Sequence, residues 1–145
     1  MPQHRTDPIF GKMTLVHGEW RTTIQLNNRQ IPLSVAQDHP PWETIYTLWQ
    51  TIQQQLDDIQ QDVAEVCHYD CSIEWGTDFP ISEEQTLAFI QLESIHFSQQ
   101  GCQLRYKNDF SPATWATSAM SEPTIITVDL NWNAEIENLN YVDDD

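Results

Sequence analysis

Two hydrophobic periods take turns along the chain. Trp20, Thr22, Ile24 and Leu26 alternate with Arg21, Thr23 and Gln25, and Ile31, Leu33 and Val35 resume the alternation after Asn27-Asn28-Arg29. A period of two predicts strands buried on one face, and the Asn-rich break supplies hairpin turn chemistry. Met13–Val16, ahead of Gly18, predicts a shorter strand, so the N-terminal third reads as a hairpin or three-stranded meander. Pro32 lacks an amide donor, which places a sheet edge or a bulge near it.

The period changes after His39-Pro40-Pro41. Ile45, Trp49, Ile52, Leu56, Ile59, Val63 and Val66 follow at spacings of 4, 3, 4, 3, 4 and 3, which puts all seven on one stripe of a helix. The opposite side carries Gln50, Gln53, Gln54, Asp57, Asp58, Gln61, Asp62 and Glu65. A helix of about 25 residues would run ~37 Å, enough to cross a small domain. With sheet patterns on both sides, the stripe is expected to pack on the chain's own sheet. The alternative is a helix pair between two copies, and hence a homodimer through the Trp49–Val66 seam.

Beyond Cys71, Ser82 and Gln85 form a capping-box pattern that predicts a short helix to about Ile90. Glu93 to Phe97 and Gln103 to Lys107, around Gln99-Gln100-Gly101, predict a second hairpin. Phe110 to Ser121 reads as loop. Ile126, Val128, Leu130 and Trp132 predict another strand, and Ala134, Ile136 and Leu139 a last one. The fold class expected is α+β: a mostly antiparallel sheet, made of the N-terminal hairpin or meander and the C-terminal strands, packed against one long amphipathic helix and one short helix. One domain is expected over residues 1–145, with residues 1–12 as a flexible arm and 141–145 as a flexible acidic tail.

Charge changes the picture most. The 145 residues hold 22 Asp and Glu against six Lys and Arg, a formal charge of −16. No Lys or Arg falls between Arg29 and Arg105, a stretch with twelve carboxylates, and eight more carboxylates follow Lys107 with no base. Such a field repels nucleic acid, phosphate-rich substrates and anionic membranes, so neither nucleic acid nor membrane is expected as a partner. No apolar run approaches the ~20 residues of a membrane span. Residues 1–12 carry no apolar stretch of the signal-peptide kind, so a cytoplasmic protein is expected.

The search for chemistry yields little. Cys67, His68 and Cys71 could supply three zinc ligands, with Cys102 a fourth, but the second short cluster of a structural zinc site is missing, and buried free thiols are the simpler account. Asp129-Leu130-Asn131 opens like a calcium loop, yet Ala134 and Asn140 stand where that loop needs Gly and Glu. Glu93-Ser94-Ile95-His96 has di-iron spacing in a single copy. There is no nucleophile elbow and no Gly-rich phosphate loop among only four glycines. No catalytic residue and no cofactor is expected. Trp20, Trp49 and Trp132 sit at inward positions, whereas Trp42 and Trp115 lie beside prolines and are candidate interface anchors.

The order of features resembles a group of small acidic bacterial proteins, some of them associated with toxin–immunity loci. The resemblance rests on Phe10-Gly11, the Trp-containing strand pair with its polar turn, the long helix, Trp75 ahead of Ser82-Glu83-Glu84, and the strand pair turning at Gly101. It departs at Phe110-Ser111-Pro112-Ala113, where an aromatic-Gly-His element would be expected, so no role of that histidine carries over. The resemblance implies an α+β fold and an immunity-type role. Together with the charge, the expectation is an acidic protein-binding module that neutralises a basic, toxin-like domain by covering it. Its contact surface is expected at Asp57, Asp58, Asp62 and Glu65, extended by Asp70, Glu74 and Asp78. The alternatives are a homodimeric scaffold, or an enzyme or metal protein built around Cys67, His68 and Cys71.

Overall fold

The computed structural model describes residues 3–142. Eight strands form a single sheet in sequence order: β1 (His4–Asp7), β2 (Gly11–Val16), β3 (Glu19–Leu26), β4 (Arg29–Ala36), β5 (Ile90–Ser98), β6 (Gly101–Asn108), β7 (Thr124–Leu130) and β8 (Ile136–Val142). Every neighbouring pair is antiparallel except β4 and β5. A parallel pair needs a crossover, and here it is the long helix α1 (Trp42–Trp75), followed by a 3-10 turn and the short α2 (Glu83–Thr86). The expected α+β class is therefore the observed one, with two independent antiparallel halves joined edge to edge at the centre.

Local chemistry explains the turns. The two-residue connections His17-Gly18 and Asn27-Asn28 all have positive φ, the backbone that matches the twist of a hairpin. Gly101 opens β6 at φ +135°, and a Cβ there would collide with the carbonyl oxygen of Leu130 at the end of the neighbouring strand β7. Ser82 and Gln85 form the capping box the sequence predicts: Ser82 Oγ accepts the Gln85 amide at 3.2 Å, and the Ser82 amide donates to Gln85 Oε1 at 2.8 Å.

Several boundaries differ from the sequence expectations. The expected arm over residues 1–12 contains a real edge strand: Arg5 pairs with Met13 in register, and Asp7 and Phe10 are buried. Tyr141 and Val142 close β8, while Asp143–Asp145 of the expected tail lie outside the described residues. Pro32 is in β4, which is paired on both sides. Its own position faces Thr23 but lies just outside the short parallel ladder of Leu33–Val35 with β5, so the missing amide costs no central bond. Trp132 and Ala134 are not in strands but in the β7–β8 turn, where Ala134 has φ +61° and Trp132 Nε1 donates to Gln99 O at 3.1 Å.

The helix is 34 residues long, and the expected stop at Val66 is too early. Ile45, Trp49, Ile52, Ile59 and Val63 are buried as expected, but the seam continues through Cys67 and Cys71, leaving Val66 half-buried. Cysteine behaves here as a small hydrophobe, a continuation that a search for larger apolar residues overlooks. The seam packs on Leu33, Val35, Ile95, Phe97, Leu104, Tyr106, Ile126 and Val128, so it is used up inside the domain and is closed to a second copy. At ~1.5 Å per residue the helix measures ~51 Å, against ~34 Å for seven strand spacings. It therefore overhangs the sheet, and its end rests on a second apolar cluster of Cys71, Phe79 and Phe110 with Trp75, Phe89 and Trp115.

Candidate functional site

The sheet has a covered face and an open face, and charge divides between them. Alternation puts Lys12, Arg21, Arg105 and Lys107 opposite the core positions Met13, Trp20, Leu104 and Tyr106, hence on the open face. Residues 42–86, comprising α1, α2 and the turn between them, carry ten carboxylates and no Lys or Arg. The two remaining bases are occupied: Arg5 is in the ion pair described below, and Arg29 donates to Leu92 O at 3.1 Å.

On the open face, register aligns a polar row across all eight strands: His4, Thr14, Arg21, Ser34, His96, Gln103, Asp129 and Asn138. Its members bond one another. Ser34 Oγ and His96 Nδ1 lie 2.7 Å apart, Gln103 Nε2 donates to Asp129 Oδ1 at 2.9 Å, and Glu19 reaches both Arg21 and His96. A shallow groove of about 470 Å³ lies at the β8 end of this row, between His96, Gln103, Asp129, Glu137 and Asn138. Within it Gln103 donates to Asp129, while His96 is held by Ser34 and Glu19 outside the groove. Glu93 falls at the β5 bulge, so the Glu-x-x-His spacing is a strand accident. Asn131 Oδ1 is spent on the amides of Asn133 and Glu135, which is what the calcium-like opening amounts to.

The helix side is built differently. Asp58, Asp62, Glu65, Tyr69 and Ile73 succeed one another at spacings of 4, 3, 4 and 4, a single line along the solvent side of α1. Asp57, Asp58, Asp62, Glu65, Glu74 and Asp78 are exposed. Asp70 is half-buried and has a structural partner, accepting from Tyr141 Oη at 2.7 Å. That bond ties β8 to the C-terminal part of α1, and burial followed by the neighbouring Asp70 carboxylate pushes the Tyr141 hydroxyl far above its ordinary pKa. Six of the seven expected carboxylates thus remain available, and one serves the fold.

Sequence reasoning misses Tyr69 and Ile73, which are 65% and 68% exposed. They begin where the acidic line ends, beside an opening of about 400 Å³ lined by Glu65, Val66, His68, Tyr69, Ser72 and Glu83. The signal was present: once the helix is extended to Trp75, both residues fall off the buried seam.

The two tryptophans proposed as anchors are half-buried instead. Trp42 stacks on Tyr46 and lies under the Arg5 guanidinium, 4.1 Å from the ring centroid. Trp115 packs edge-on against Phe79 and Phe89. Each packs at the edge of an apolar cluster, which accounts for its position without a partner. Arg5, Asp7 and Tyr46 form the clamp at this end of the helix. Asp7 Oδ2 accepts from Arg5 at 3.1 Å and from the Tyr46 hydroxyl, and Oδ1 accepts the amides of Ile9 and Phe10. Burial opposes the Asp7 charge, but these donors outweigh it, Tyr46 foremost, and hold the carboxyl below its usual range.

Cys67 and Cys71 sit one turn apart on the buried seam, and His68 points elsewhere, with Nε2 3.1 Å from Ile81 O. Burial pushes the Cys67 thiol up to about 11 and the Cys71 thiol up to about 12. Cys102 is buried on β6 and is likewise raised by burial. No group of three or more His, Cys, Asp or Glu with metal-holding geometry occurs among the described residues. No described helix is long and apolar enough to cross a membrane. Compared with known proteins, the chain matches no family model, no curated sequence and no solved structure.

Proposed function

We propose that the chain is an acidic protein-binding module whose helix side docks a basic protein. In its specific form, it is an immunity-type inhibitor that covers the positively charged site of a toxin-like domain. The observation that carries this reading is the one-sided charge: ten carboxylates without a Lys or Arg on the helices and the turn between them, and four of the six Lys and Arg on the opposite sheet face. A low-dielectric wall with one sign of charge focuses the field outward, raises the encounter rate with a basic surface and orients it. The rigidity of α1, clamped to β1 by Asp7 and to β8 by Asp70, keeps the carboxylates in place and limits the ordering cost of association.

The test uses the chain as bait in an extract of its own host at low salt, beside the Asp57→Lys, Asp58→Lys, Asp62→Lys triple variant. Basic proteins retained by the first, lost by the second and released by added salt support the reading. The same proteins retained equally by both baits would contradict it.

A further inference from the structure

We infer that the partner carries an apolar side chain among its basic residues, and that this side chain seats on Tyr69 and Ile73, at the edge of the opening between α1 and α2 that Tyr69 lines. This deepens the reading above and rests on it. Two large apolar side chains one turn apart on a helix, each about two-thirds exposed, are unexplained by the fold, because the seam that holds α1 to the sheet lies on another side. The half-buried Val66 and the adjoining opening of about 400 Å³ enlarge the patch to the size of one anchoring side chain with its surroundings. Apart from His68 and Ser72, which line the opening, the polar groups around it are carboxylates. Asp62 and Glu65 lie on the N-terminal side, Asp70 and Glu74 along one flank, and Glu83 across the opening on α2.

The rim decides the occupant. A second copy of this chain would bring the same carboxylates face to face, and an anionic membrane or nucleic acid would meet the same repulsion. A basic protein segment with an aliphatic or aromatic residue satisfies both parts, because its Lys or Arg side chains meet the rim while the anchor displaces water from Tyr69 and Ile73. Division of labour follows from the physics. Long-range attraction to the carboxylates sets the association rate, and desolvation of the apolar pair sets the dissociation rate.

The experiment measures binding kinetics of two labelled Lys/Arg peptides, one with a central Leu and one with Gln in its place, at low salt. The Leu peptide is expected to bind about tenfold more tightly, through slower dissociation, as burial of one such side chain implies. The Tyr69→Ser, Ile73→Ser double variant, altered only at exposed positions, is expected to lose that difference while binding the Gln peptide unchanged. Equal affinities for the two peptides, or a difference that survives in the double variant, overturn the anchor and leave the acidic face standing. If neither peptide binds, or if the Asp57→Lys, Asp58→Lys, Asp62→Lys variant binds both as well as the original, the acidic-face reading fails and the anchor with it.

Discussion

The solvent side of the helix and the open side of the sheet are both polar, yet they dispose of their charge in opposite ways. On the sheet, the polar residues of the row bond one another: Arg21 pairs with Glu19 along β3, His96 meets Ser34 and Glu19 across strands, and Gln103 donates to Asp129. On the helix, Asp57, Asp58, Asp62 and Glu65 have no Lys or Arg on their own element, and the next exposed positions are Tyr69 and Ile73. A polar row whose groups bond one another asks little of a partner. One that leaves like charges and apolar side chains unanswered is costly alone and gains by being covered. That asymmetry, more than the total of −16, is what singles out the helix side.

The comparison depends on the helix being held rigidly, and the largest expected effect comes from cutting its clamp to β1. Asp7→Ala strands the Arg5, Tyr46, Ile9 and Phe10 donors and should cost about 2–3 kcal/mol in chemical denaturation. Because the folded carboxyl titrates below its unfolded value, its contribution is complete above roughly pH 4 and is lost as pH falls through the folded value. The stability advantage of the original chain over Asp7→Asn should therefore shrink in acid and hold steady from pH 5 to 8.

Reversing charge on each side in turn sharpens the contrast. Asp57→Lys, Asp58→Lys, Asp62→Lys should slow association with a basic peptide by about ten- to a hundredfold at low salt, whereas Arg21→Glu with Arg105→Glu should change it less than about twofold. Surface plasmon resonance over a range of salt concentrations separates the two. The smallest effect is expected at the other clamp: Tyr141→Phe removes one charge-assisted bond to Asp70 and should cost about 1 kcal/mol, visible as faster amide exchange in β8.

Much of this architecture was legible in advance. Period-two alternation marked β3, β4, β6 and β7, the Asn27-Asn28 turn and the Ser82 capping box were readable as chemistry, and the helix seam was unmistakable through Val63. What escaped has physical reasons. β1 carries too few residues for a period to register, and its burial comes from the distant Tyr46 rather than from local pattern. The end of α1 was hidden because its seam passes to cysteines. The parallel β4–β5 join and the cross-strand row from His4 to Asn138 are products of register between distant segments. For the site, the acidic face was readable, but Asp70 as a tie to β8, the packing of Trp42 and Trp115, and the exposed pair Tyr69 and Ile73 all required the fold.

Amide chemical-shift mapping with an oligo-arginine peptide at low salt reads both faces in one titration. Shifts confined to residues 57–74 of α1 and to α2, fading as salt is added, are the predicted result. Shifts centred on the sheet row of Arg21, His96, Gln103 and Asn138, or spread evenly over both faces, would contradict it.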